Sequence, residues 1–270
     1  MEPVADREAQ SRVTERVREL ATAYEPPDFA LVPTGDAALF LCAIDHKTGY
    51  RDPHPVDGRG PFEGSELLWE LACREERRRP GTLSARALAV VDAARVADLF
   101  RIGGETVAGP EERGRLWRDL AVGLERDHGG SAAELIAAAH GRLGGRGGLI
   151  ALLARYEAFA DPLAKKAYLF AKIAERRRWL EVADPENWQV CADNVLMRLA
   201  LRSGLVAPGG VDEVRAATRE AFGRVAAECG VSPPVLDDLL WELGRQDPDL
   251  LGGEAGDLRE PAREPASHWY

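Results

Sequence analysis

The chain has 270 residues, is 45% hydrophobic and 30% charged, and carries a formal net charge of −10. That length and apolar content exclude a disordered chain and allow a sizeable buried core. The acidic balance weighs against tight nonspecific binding to nucleic-acid phosphates. No apolar run approaches about 18 residues and no signal peptide opens the chain, so a cytoplasmic protein without a membrane segment is expected.

Ala and Leu dominate and β-branched runs are rare, which predicts an all-α fold. Residues 1–28 carry an amphipathic helix, with Val13, Val17, Leu20 and Ala21 at helical spacing. "EPPDFALVPTGD" breaks it, and an apolar helix follows in "AALFLCAIDHKTGY" (37–50). "RDPHPVDGRGPFEGSE" (51–66) reads as a Gly/Pro loop, and Ser65 as the N-cap of a helix over 64–79. Residues 84–102 read as one helix, and 110–130 as another that starts on Pro and closes on Gly-Gly. Ser131 and Glu134 stand in capping-box register for the next. Further helices are predicted over 147–159, 161–182, 194–205, 211–230 and 232–246. The reading is therefore about ten short helices in two lobes around a cleft, covering 29–250, with a flexible tail over 251–270. Cys42, Cys73, Cys191 and Cys229 are too scattered for a zinc or iron–sulfur site and read as reduced thiols, so no metal or cofactor is expected.

Chemistry gathers in "VCADNVLMRLALRSGLV" (190–206), where Asp193 begins a helix and Arg198, Arg202 and Gly204 follow. This D-x4-R-x3-R-x-G spacing resembles the catalytic segment of the helix-hairpin-helix (HhH-GPD) DNA glycosylase superfamily. Upstream, "KAYLFAKI" around Lys166, Phe170 and Ala171 resembles the archaeal 8-oxoguanine glycosylases. "FADPLAKKAYLF" (159–170) is similar to the queuosine salvage glycosidases, and "LDDLLWELGR" (236–245) resembles the closing helix of the archaeal branch. The pieces span roughly residues 130–245. The superfamily's glycine-rich hairpin is replaced by "EVADPENWQV" (181–190), and its iron–sulfur cysteines are missing.

The resemblance implies a glycosylase-like fold with Asp193 as catalytic carboxylate, stabilising the cationic sugar or activating the attacking group. It implies Lys166, rather than the adjacent Lys165, as an amine nucleophile forming a Schiff base if the enzyme also has lyase activity. Aspartate is also a favoured N-cap and lysines a common solvated surface, so a helix-capping Asp193 stands beside the catalytic one. Asp45, His46 and Lys165 read as lining the substrate site, with His46 and His54 too irregularly placed for a metal. Trp69 and Trp188 are the candidates for stacking on a base, and Arg198 and Arg202 for bracing the helix or approaching phosphate. The leading expectation is a DNA glycosylase that excises a damaged or modified base from a flipped-out nucleotide. The alternatives are a nucleosidase that frees a base from a modified nucleoside and a helical binding protein without catalysis.

Overall fold

Twelve α-helices and one two-stranded hairpin form among residues 7–262 and 267–269, the residues that the computed structural model describes. The fold is all-α, as the Ala/Leu-rich composition requires. The chain opens with α1 (Arg7–Ala21). Residues 28–185 then form α2 (Gly35–Ile44), a hairpin of β1 (His54–Val56) and β2 (Arg59–Phe62), α3 (Gly64–Arg78), α4 (Ala85–Leu88), α5 (Ala93–Leu99), α6 (Pro110–His128), α7 (Ala132–Ala138), α8 (Leu149–Leu153) and α9 (Lys165–Arg176). The rest supplies α10 (Asn194–Arg202), α11 (Val211–Cys229) and α12 (Pro233–Gln246). Residues 1–6 of the predicted amino-terminal helix, and 263–266 and 270 of the predicted tail, lie outside the described residues.

The chain divides into two compact units. The first joins residues up to 27 with 186–267. Here α1 lays Val13 and Val17 into the same core as Leu196, Leu199, Phe222 and Leu240 of α10, α11 and α12. In the segment read as a tail, Leu251 is buried, and the amide of Ala255 donates to the carbonyl of Arg202 at 3.1 Å.

The second unit holds residues 28–185 with 268–269, built around α2. Every residue of α2 from Ala37 to Ile44 is buried, and α3, α6, α7 and α9 pack around it. A helix that is apolar on all sides has no face to offer water and becomes the core. Trp117 of α6 fixes one side, its Nε1 donating to the carbonyl of Phe40 at 2.7 Å.

Several elements differ from the sequence reading: the helix expected over 147–159 ends at Leu153 and a separate 3-10 turn follows at Glu157–Phe159, and α2 stops at Ile44. Three further differences have a local reason. The helix predicted over 84–102 is broken into α4 and α5, because Asp92 accepts from the amide of Arg95 at 2.8 Å and starts a new helix. The 51–66 loop contains the hairpin. Its turn is Asp57-Gly58, both at positive φ (50° and 77°), a pairing that favours two-residue hairpins and was legible in the sequence. Ser65 does not cap α3. It lies inside the first turn, and its hydroxyl donates to Asp45.

All four cysteines are free thiols. No described helix is long and apolar enough to cross a membrane.

Candidate active site

The carboxy-terminal end of α2 sets the problem that the site solves. The last turn of a helix leaves carbonyls without intrahelical partners, and here that turn is buried. Basic side chains from other elements satisfy them. Lys166 Nζ donates to the carbonyl of Ala43 at 2.6 Å, and Lys165 Nζ donates to that of Asp45 at 3.3 Å. Arg113 of α6 donates to the carbonyls of His46, Lys47 and Ala108. The Arg113 guanidinium also meets the negative end of the helix dipole. Burial lowers Arg113 to about 10, against the opposing pull of Glu112 and Asp45.

Lys165 and Lys166 are placed by the start of α9. Asp161, itself buried, accepts from the amides of Leu163 (3.0 Å) and Lys165 (3.0 Å), and Ala164 turns the chain at a φ of 50°. This is a capping arrangement one turn ahead of the helix, inside the "FADPLAKK" segment. Asp161→Ala is expected to cost about 1–2 kcal/mol of stability, read by urea unfolding, because it leaves buried amides without an acceptor.

Lys166 is 0% exposed, and its second donor contact is His46 Nδ1 at 3.1 Å. His46, also buried, places Nε2 3.2 Å from Glu112 Oε2. The carboxylate can only accept, so Nε2 carries the ring proton and Nδ1 is the acceptor facing Lys166. Burial first, then the neighbouring Lys165 and Arg113, drives Lys166 well below an ordinary lysine, against Asp45 and Cys42. Burial, then Lys166, Arg113, His268 and Lys165, holds His46 far below an ordinary histidine. Burial thus favours the neutral form of both groups, and in a neutral amine these two contacts use both N–H bonds and leave the lone pair over.

That neutrality predicts a pH effect. Below a pH of about 6.5 the unfolded chain protonates His46 and the folded chain does not, so the unfolded state gains protons and stability falls with pH. The expected slope from this one group is about 1.4 kcal/mol per pH unit below that point. Urea unfolding from pH 7 to pH 5 reads it, and His46→Gln removes that one-proton contribution.

The end of the chain reaches this cluster. His268 Nε2 lies 3.2 Å from the carbonyl of Glu157, its Nδ1 lies 3.9 Å from Glu112 Oε1, and its ring stands edge-on to His46 at 6.2 Å. Asp45 lies 3.7 Å from Lys165 and accepts from Ser65. Asp45, His46 and Lys165 are thus brought together with Lys166 in one buried network. Trp69 is half-buried on α3.

Asp193 belongs to the first unit. It is buried and is the N-cap of α10, Oδ1 accepting from the amides of Val195 (2.9 Å) and Leu196 (3.0 Å). The capping geometry expected of it is present. The same two bonds hold the carboxylate in one orientation at the positive end of the helix. Arg198 donates to the carbonyl of Gly244 on α12 at 3.0 Å. Arg202 holds Asp249 through two bonds, 2.7 and 2.8 Å, and also binds Asp257. Both arginines brace the unit internally. Trp188 is buried.

The sequence reading missed Glu112, Arg113, Asp161 and His268 as partners of the cluster, since only tertiary packing brings them there. One signal was available. The chain has thirty-one arginines and four lysines, Lys47, Lys165, Lys166 and Lys172. Three of the four lie on α9, and all three are buried. Arginine does not deprotonate in proteins whereas lysine shifts readily on burial, so the rare lysines mark where a neutral amine can be made.

Two open grooves indent the second unit, one lined by Arg115, Arg118, Arg126 and Tyr156, the other by His140, Trp179 and Leu180. Lys166 and His46 line neither.

No family model matches the chain, and no curated protein does. Among solved structures it is similar to the 8-oxoguanine DNA glycosylase of Pyrobaculum aerophilum in complex with 8-oxoguanosine, at 17% identity over 89% of each chain and a TM-score of 0.49.

Proposed function

We propose that the protein cleaves N-glycosidic bonds, excising a damaged or modified base from DNA once the nucleotide is turned out of the duplex. The observation that carries this reading is Lys166, a buried primary amine held by two acceptors and driven toward its neutral form. A neutral amine is a nucleophile for a sugar carbon and can form a Schiff base, and burial is the physical means of obtaining one at neutral pH. Asp193 is the carboxylate assigned to stabilise positive charge on the sugar, kept oriented by its bonds at the start of α10. The motif spacing from Asp193 to Gly204 supports that assignment.

A second reading keeps the chemistry and changes the substrate to a free modified nucleoside. The net charge of −10 favours it, since a nucleoside needs no phosphate-binding surface.

Detection of free base by mass spectrometry tests both. The substrates are DNAs with oxidised, deaminated, alkylated and hypermodified bases, and modified nucleosides including queuosine. Release from DNA supports the first reading, and release only from nucleosides supports the second. No release from any substrate returns Asp193 to the role of a helix cap.

A further inference from the structure

We infer that His46, oriented by Glu112, is the base that takes the proton of Lys166 during the reaction. This rests on the reading of Lys166 as a nucleophile and adds the group that serves it.

The geometry is a chain of three. Glu112 Oε2 lies 3.2 Å from His46 Nε2, and His46 Nδ1 lies 3.1 Å from Lys166 Nζ. A carboxylate orienting an imidazole, which in turn addresses a nucleophile, is the arrangement that activates weak nucleophiles. Here it addresses an amine. The three residues come from the end of α2, the first turn of α6 and the first turn of α9. Lys165, Arg113 and His268 bring positive or protonatable groups toward the ring, and Asp45 and Cys42 face the amine. A structural need for this chain is already met without the ring, because the carbonyl of Ala43 is satisfied by Lys166 directly.

The lone pair of Lys166 forms a bond to the sugar carbon C1′ while the N-glycosidic bond breaks, and its electrons leave with the base, which takes a proton from water and leaves hydroxide in the solvent. The nitrogen is now a secondary ammonium with two protons. One passes to His46 Nδ1, and the imidazolium is stabilised by Glu112 through its Nε2–H. The restored lone pair forms the protonated Schiff base C1′=NH+, whose charge balances that hydroxide, while the ring oxygen leaves C1′ and takes the proton held on His46. A lysine without a neighbouring acceptor would be trapped at the ammonium.

The test uses the full chain. Because it contains four lysines, protein labelled with 15N-lysine gives four side-chain signals, and labelled histidine gives five rings. At pH 7 Lys166 is expected as a neutral amine and His46 as the neutral Nε2–H form. An ammonium at Lys166, or the Nδ1–H form of His46, overturns the proposal.

Reactivity is then read by cyanoborohydride trapping of Lys166 with two aldehydes, abasic-site DNA and acetaldehyde, followed by peptide mass spectrometry. His46→Asn keeps an acceptor near Nδ1 and cannot store a proton, and its trapping rate is expected to fall about 10²-fold. His46→Gly, with added imidazole, is expected to recover, which a packing role would not produce. Trapping by acetaldehyde with the same dependence on His46, but none by DNA, leaves this proposal standing and overturns the base-excision reading. Equal rates in wild type and His46→Asn, or no trapping of wild type by either aldehyde, overturn the proposal and leave Lys166 as a cap of α2.

Discussion

Lys166→Arg is expected to destabilise the folded protein by about 3–5 kcal/mol, and Lys166→Met by about 1–3 kcal/mol. The order is the informative part. Arginine keeps its charge at every accessible pH, so it would place an uncompensated cation where the surroundings already include Lys165 and Arg113. Methionine is close in shape and brings no charge. Its cost comes from the carbonyl of Ala43 and from His46 Nδ1, which both lose their donor. Thermal unfolding separates the two, at roughly 2–4 °C per kcal/mol for a chain of this size. An arginine tolerated as well as methionine would mean that Lys166 is an ordinary ammonium at the end of α2. The nucleophile would then have to be sought elsewhere. Both variants are expected to lose aldehyde trapping at this position completely.

Asp193→Asn is expected to leave stability within about 1 kcal/mol of wild type and to lower base release by about 10²–10³-fold. Asparagine caps helices about as well as aspartate, and its side-chain carbonyl can accept from the amides of Val195 and Leu196 as Oδ1 does. What it lacks is the negative charge, worth about 0.3–1 kcal/mol at a helix amino terminus and much more beside a developing sugar cation. Asp193→Ala supplies the contrast, losing the cap as well at a cost of about 1 kcal/mol. Unfolding measured beside base release separates capping from catalysis. Equal base release in wild type and Asp193→Asn would assign Asp193 to capping alone.

Much of this was legible along the chain, because helix formation and helix ending are local. Pro110 presets φ at the start of α6 and Gly129 ends it at a positive φ of 58°, while Ser131 ahead of α7 and Asp193 ahead of α10 accept from amides two or three residues away. The apolar run from Ala37 to Ile44 already described a helix with no face for water, and α2 is the centre of its unit. The same locality explains two misreadings. Asp92 and Asp57-Gly58 carried the signals for a new helix and a hairpin turn, and the surrounding helical pattern and loop composition outweighed them. What the sequence did not decide is which charged side chains lose their water. Lys165 and Lys166 are adjacent on α9, and nothing in their order distinguishes a solvated pair from a buried one. Packing of α9 against α2 and α8 decides it, together with acceptors that lie 120 to 123 residues away along the chain. A lysine's ionisation is set by the dielectric and the charges around it, and those are properties of tertiary packing rather than of spacing.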